Sequence, residues 1–496
     1  MISTKYENYG LSTEKDFVRS LQQQDINKEY EASGIPLYCS KGSVYTDAAD
    51  SHTLIFGNTG TKKTRNFIIP SAFMLGMAGE SMVISDPKGE IYRYSSGFLK
   101  EQGYDIKVFN FRNLEYSSAW NPLLLPYRYY KSGDKDKAVE LLYDFCMQLK
   151  TQVHSGEDPF WELQAMDLMI GIILMLFETE TDENRIHMES VVQIRMEVRP
   201  WIDPRYASDN DEINAFWKII EALPEDSLVR YKLASVYSLR KVERTLNCVV
   251  STFDAMIRCL VLNRKLMSVL SSNEIDFDTI GKKKTVLFLI IPDEKTTFHF
   301  LVSIFVKQCY EVLIENAQSY PDGTLPIRVN YLLDEFSNFP RIADMPAMIS
   351  AARSRNIRFI LVVQSKQQLE AAYKTDAETI KSNCRNWIYL ACRELSLLRE
   401  IESICGTVEV DGKIISVLTI TDLQRLEIGW EDSQALILRP GTSPFVSWVK
   451  DFEFYPQSKY QTLSFEKRKY PQVKFFSLKQ YVYHQFDFAY ERFKRS

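Results

Sequence analysis

The stretch Gly57-Asn58-Thr59-Gly60-Thr61-Lys62-Lys63-Thr64 decides how this chain is read. It follows the pattern Gly-x-x-x-x-Gly-Lys-Ser/Thr at Gly57, Lys63 and Thr64 and departs from it at Lys62, where a glycine belongs. The apolar run Thr53-Leu54-Ile55-Phe56 enters the loop as a short strand, and Thr64 to Met77 is predicted to leave it as a helix. In such a unit backbone N–H groups curl around phosphate, and the helix N-terminus faces the negative charge. A Thr/Lys-rich surface turn would explain neither the strand nor the helix. Gly57, Asn58, Thr59, Gly60, Thr61, Lys62, Lys63, Thr64 and the adjoining Arg65 are therefore expected to hold a nucleoside triphosphate, ATP, with Mg²⁺. Lys63 would neutralise the β- and γ-phosphates, and the Thr64 hydroxyl would ligate the metal. Two outcomes are open for Lys62. It points outward and adds its charge to the pull on phosphate, or its side chain weakens turnover and leaves binding or structure as the role of the loop.

Working outward, 496 residues are enough for two to four ordinary domains or for one large core with an insertion. A hydrophobic content of 45% and a charged content of 25% are those of a globular protein. The formal net charge of −5 argues against a surface that coats nucleic acid, although a local basic groove needs few residues. The eight cysteines form no Cys-x-x-Cys pair, and with only five histidines zinc ligation is not expected. Reduced, scattered thiols suggest a cytoplasmic setting. The N-terminus has no apolar signal core, and the longest apolar run, Leu168 to Phe177, falls short of a bilayer span, so no transmembrane segment is expected.

Strand signals recur at Ser81 to Ser85, Ile106 to Phe109, Val286 to Ile291, Ile327 to Leu333, Ile357 to Val363, Trp387 to Leu390 and Ala435 to Leu438. Helical segments separate the early ones, which predicts an α/β fold with a mainly parallel twisted sheet covered on both faces. The alternation stops between Tyr127 and Ile280, where helical signals at Lys137 to Lys150, Phe160 to Thr179 and Ser227 to Leu262 predict an inserted all-α domain. The expected division is an N-terminal arm or small cap at 1–50, a nucleotide-binding part at 51–126, the helical insertion at 127–282, the second nucleotide-binding part at 283–458, and an aromatic and basic tail at 459–496.

A second motif completes the chemistry. Val329-Asn330-Tyr331-Leu332-Leu333-Asp334-Glu335 is an apolar strand ending in two carboxylates. Asp334 at the strand end can hold Mg²⁺, and Glu335 can polarise the attacking water. Arg353 and Arg355 precede the next strand, where an arginine on the edge of a protomer can reach a neighbour's γ-phosphate. Gln364, at the end of that strand, can sense the γ-phosphate or position water.

With these motifs in place, the chain resembles the type IV secretion coupling proteins, conjugative DNA-transfer ATPases with RecA-like P-loop motors related to the FtsK and HerA pumps. The resemblance rests on Gly57 to Arg65, Asp86-Pro87-Lys88-Gly89-Glu90, Val108-Phe109-Asn110 with Trp120-Asn121-Pro122, Phe160-Trp161, Ile291-Pro292-Asp293 with Phe298 to Val302, Leu333-Asp334-Glu335-Phe336, and Gln364 to Leu369. It implies a hexameric motor. Lys63 and Thr64 then match the nucleotide loop, Asp334 and Glu335 the metal and water carboxylates, Arg353 the trans-acting arginine and Gln364 the polar strand-end residue. It also implies that the helical insertion meets DNA or relaxase-type protein cargo. Typical members begin with transmembrane helices. Their expected absence here implies docking on a membrane channel through a separate partner, or a soluble process.

Arg230, Lys232, Arg240, Lys241, Arg244, Arg258, Arg264 and Lys265 could line one basic face for DNA phosphates, or simply be solvated. The tail aromatics Phe475, Phe476, Tyr481, Tyr483, Phe486, Phe488, Tyr490 and Phe493 suit stacking on single-stranded bases, or packing of a terminal helix. The leading expectation is an ATP-driven DNA translocase. The alternatives are a slow or non-hydrolysing adaptor that recruits protein cargo, and a soluble DNA pump in mobile-element maintenance or defence.

Overall fold

The computed structural model describes residues 10–40, 42–151, 153, 159–202, 219–220, 222–239, 242–292, 294–295, 297–339, 341–342, 344–410, 412–478 and 480–481. The chain forms two compact units. One comprises residues 1–113 and 276–466, the other 114–275 and 467–496.

The strands are β1 (Gln22–Asp25), β2 (Ile35–Ser40), β3 (Ser43–Asp47), β4 (His52–Phe56), β5 (Ser81–Ser85), β6 (Asp105–Asn110), β7 (Thr285–Ile290), β8 (Val329–Leu333), β9 (Ile357–Val363), β10 (Cys384–Tyr389), β11 (Thr407–Val410), β12 (Lys413–Ser416), β13 (Asp432–Leu438) and β14 (Phe445–Lys450). Nine of them build the central sheet in the order β14-β13-β10-β4-β9-β8-β5-β7-β6. From β10 to β6 every neighbouring pair is parallel, while β13 pairs antiparallel with both β10 and β14. The central strands are apolar along their length and buried on both faces, as a sheet covered by helices requires.

The predicted helix from Thr64 to Met77 is in two parts, a π-turn at Thr64–Ile68 and an α-helix at Ile69–Met77. Pro70 explains the change: it has no N–H to donate to the Asn66 carbonyl, and Ile69 N–H donates back to Thr64 O instead. Among the described residues of 10–50, a short helix at Glu14–Val18 is followed by a small antiparallel sheet in the order β1-β3-β2. Its Ile35, Leu37 and Val44 join the same buried cluster as Phe67 and Phe73 of the helical stretch after the loop. A buried ion pair fastens this cap. Arg358 Nη2 lies 3.0 Å from Glu80 Oε2, and the two groups also take up the Asn330 side chain and the backbone at Ser33.

The second unit is helical among its described residues. Its main helices are Leu124–Ser132, Lys135–Lys150, Phe160–Thr179, Met188–Ile202, Leu228–Ser238 and Glu243–Val261. The helical signals from Ser227 to Leu262 are carried by two helices, Leu228–Ser238 and Glu243–Val261. Phe160–Thr179 is long and apolar enough to cross a membrane by length and composition, contrary to the expectation drawn from the apolar run at 168–177, but 72% of its most apolar window is buried inside the protein. Gly171 lets Leu233 approach so closely that a Cβ there would stand 2.4 Å from Leu233 Cδ2.

Candidate nucleotide site

The loop 57–63 leaves the C-terminal end of β4, with Gly57 N–H donating to Val363 O of β9 at 3.3 Å. Thr61 closes the turn, its hydroxyl donating to Asn58 O at 2.8 Å. Gly57 has no room for a side chain, since a Cβ would meet Thr61 Oγ1 at 2.6 Å and Leu390 Cβ at 3.2 Å. Among the described residues, the N–H groups of Gly60, Lys62, Lys63 and Thr64 donate to no protein acceptor. Four free donors around one concave loop are what a phosphate group would satisfy.

Lys62 adopts the left-handed conformation that glycine would take there, with φ +61°. Its side chain turns outward. Lys62 Nζ donates to Trp430 O at 2.9 Å, lies 3.7 Å from Asp451 Oδ2, and sits over the Trp430 ring at 5.1 Å. The loop thus keeps the shape of the motif at a residue that breaks it, with local contacts offsetting the backbone strain. Arg65, expected among the nucleotide ligands, is engaged elsewhere. Its guanidinium binds Asp451 bidentately at 2.8 Å and Glu453 at 2.9 Å, and lies over Phe452.

Lys63 is buried, and its ammonium folds back onto Gly57 O at 2.6 Å and Asn58 O at 3.0 Å. Desolvation lowers its pKa, and the Asp334 and Glu335 carboxylates pull against that. Thr64 Oγ1 donates to Asp334 Oδ2 at 2.7 Å. This contact is not between neighbouring strands, because β9 lies between β4 and β8. Burial pushes the Asp334 carboxyl up to about 6, against the Thr64 hydrogen bond and with help from Glu335.

Glu335 has φ +57°, and its Oε2 accepts from Asn338 Nδ2 at 2.9 Å and from Gln364 Nε2. The two expected polar groups, one after β8 and one after β9, therefore meet. Asp86, whose Asp-Pro-Lys-Gly-Glu block carries part of the family resemblance, is a site residue that the sequence pattern alone does not mark. It ends β5, and the register Ser85↔Leu333 places it beside Asp334. Its Oδ2 accepts the Tyr92 N–H at 2.8 Å, while Oδ1 is buried with no hydrogen-bond partner among the described residues. Desolvation raises its pKa to about 7, with Asp334 and Glu90 adding to the rise. A hydroxyl and two buried carboxyls, one with an orphaned oxygen, form an all-oxygen donor set that fits a hard divalent cation.

Arg353 stands apart. It is exposed, four residues before β9, whose other end touches the loop. Its charge is felt by His52, which opens β4. It thus lies at the opposite end of the strands from Lys63. Arg355 donates to Ala351 O at 3.0 Å and Ser354 Oγ at 2.7 Å.

Comparison with known proteins gives the family and the fold. The chain matches the family described as "Type IV secretory system Conjugative DNA transfer" over residues 1–425. The chain belongs to that family. Its fold is similar to that of the plasmid coupling protein TrwB solved with the non-hydrolysable ATP analogue ADPNP, at a TM-score of 0.57 and 14% identity, over 93% of this chain and 95% of that one. TrwB with ADP and Mg²⁺ gives a TM-score of 0.57 at 14% identity over the same shares, 93% and 95%. TrwB with the GTP analogue GDPNP gives 0.56 at 15% identity, over 93% and 95%. These likenesses establish the RecA-like fold. Among curated proteins no significant sequence match is found.

In this member of the conjugative DNA transfer family, the expected basic face of the helical unit is only partly assembled. Arg230 donates to Leu223 O, Lys232 pairs with Asp167, and Lys265 pairs with Glu115. Arg244, Arg258 and Arg264 are exposed, and Arg240 and Lys241 lie outside the described residues. In the tail, Phe476 is buried and Leu478 fully so, and Phe476 N–H donates to Ser190 Oγ at 2.9 Å within the helical unit. That is packing rather than base stacking. Phe475 is exposed, Tyr481 lies 5.8 Å from Phe476, and Tyr483, Phe486, Phe488, Tyr490 and Phe493 lie outside the described residues.

Proposed function

We propose that this family member is an ATP- and Mg²⁺-binding motor subunit that hydrolyses ATP to move DNA, or a DNA–protein conjugate, during conjugative transfer. The hydrogen bond from Thr64 to Asp334 carries the reading, because it joins the phosphate loop to the carboxylate strand across an intervening strand. When bound, Mg²⁺ supplies charge neutralisation between phosphate oxygens, and Thr64 and Asp334 are the residues that would hold it. Lys63 exchanges its two carbonyl acceptors for phosphate oxygens, and a desolvated ammonium is worth more there than one in water. Glu335, oriented by Asn338 and Gln364, accepts a proton from the attacking water. Gln364 keeps that carboxylate aimed and offers its amide to the same water. The TrwB complexes with ADPNP and with ADP plus Mg²⁺ support the choice of ligand. The working form in this proposal is a homo-hexamer in the cytoplasm that meets a membrane channel through a partner.

ATPase activity of the full chain, with and without DNA, tests the reading against Glu335→Gln. The variant should lose about a hundred-fold or more in turnover while still binding ATP. A parent no more active than the variant under every DNA condition would sink the motor.

A further inference from the structure

We propose that the Trp430 ring is the platform on which the base of the bound nucleotide stacks, and that Lys62 is the residue that holds it there. The inference rests on the nucleotide reading above and extends it from the phosphates to the base.

Sheet order gives the direction. The groups suited to the γ end, Asp334, Glu335 and Gln364, follow β8 and β9 on one side of β4. On the other side of β4 lie β10, β13 and β14. Trp430 stands just before β13, and Asp451 just after β14. A ligand with its γ end at Glu335 therefore extends toward Trp430.

Two loop-side residues fasten that edge. Lys62 binds the Trp430 carbonyl and faces its ring, while Arg65 grips Asp451 and Glu453. Lys62 also lies 3.7 Å from Asp451, so the ties share one carboxylate. Trp430 itself is 79% exposed. A single exposed tryptophan means little alone. Here its backbone is pinned to the phosphate loop by the very residue that replaces the motif's glycine. An aromatic face presented beside a phosphate site suits a base, because every base has a π-face to stack.

The test compares ATP with inorganic tripolyphosphate on the full chain by calorimetry. Trp430→Ala should weaken ATP binding about ten-fold or more and leave tripolyphosphate binding unchanged. Trp430→Phe should restore most of the ATP affinity, and Lys62→Ala should weaken ATP more than tripolyphosphate. Because the side chain is exposed, a melting temperature equal to the parent's is expected for the Trp430 variants. Unchanged ATP affinity in Trp430→Ala would overturn the stacking role while leaving the nucleotide site standing. Equal loss of both ligands would assign Trp430 to loop shape and overturn it too. A parent that binds neither ligand would instead bring down the nucleotide reading, and this inference with it.

Discussion

Lys62 carries a backbone cost of about 1–3 kcal/mol as a non-glycine residue in the left-handed region. The sequence exposes the misfit but not its resolution, which is a hydrogen bond to a carbonyl 368 positions along the chain. Lys63, Thr64, Asp334, Glu335 and Gln364 were legible because each sits at the end of an apolar strand or inside a spaced motif. Asp86 was not, because its part depends on the register between β5 and β8. It also yields a prediction about pH. Burial raises the folded-state pKa of Asp334 to about 6 and of Asp86 to about 7, well above the unfolded value near 4. Between those values the folded state binds more protons than the unfolded one, so stability is fully present below the unfolded pKa and is lost as pH rises through the folded pKa. The melting temperature of the nucleotide- and metal-free protein should therefore fall from about pH 5 to about pH 7.5, and Asp86→Asn should flatten that slope. A melting temperature that rises across this range, or a slope unchanged in Asp86→Asn, would contradict the assignment.

At the scale of elements, strands β4 to β10 and β13 were readable, whereas β1, β2, β3, β11, β12 and β14 were not, and neither was strand order. Apolar runs mark β4, β5, β7, β8 and β9, but nothing local says that β9 lies between the loop strand and the carboxylate strand. That placement is what brings Gln364 onto Glu335. The split helix after the loop was in principle legible, since Pro70 is in plain view. The folding of residues 10–50 was less so. Its polar composition hides Phe17, Ile35 and Leu37, which belong to the same buried cluster as the distant residues Phe67 and Phe73, Phe17 stacking on Phe445. The buried pair Arg358–Glu80 sits where this cap meets the sheet, with its polar atoms shared among Ser33, Asn330 and the Asp47 and Ala49 carbonyls. Removing one partner leaves the other charge buried and unpaired. Glu80→Ala should destabilise the α/β unit by about 3–5 kcal/mol, measured as a shift in its denaturant midpoint, whereas an exposed pair such as Arg19–Asp16 should cost about 1 kcal/mol or less when broken. Equal small losses at both pairs would show that the cap is not held by this network.

For the molecule as a whole, Arg353 decides whether one chain suffices. It lies beyond the far end of β9 from the loop, a strand of seven residues that spans about 20 Å. It cannot serve the site of its own chain without rearrangement, so a role in hydrolysis would have to be in trans. Arg353→Ala should lower turnover by about 10³-fold while ATP binding persists, and mixing it with Glu335→Gln should restore part of the activity, because each variant supplies what the other lacks. No recovery on mixing would argue against a shared site. The helical insertion was legible from the break in strand alternation, and the family from motifs such as Asp86 to Glu90. By itself, then, the sequence determined the α/β class, the glycine-rich loop after β4 and the carboxylate pair after β8, because short-range pattern and spacing encode them. Only the tertiary structure decided which expected ligands converge. Thr64, Asp334, Glu335 and Gln364 meet, while Arg65 and Lys62 turn to Asp451 and Trp430. The contacts of Thr64, Arg65 and Lys62 join segments hundreds of residues apart, while that of Gln364 with Glu335 spans 29 positions; strand order and register make all of them, and no local pattern records either.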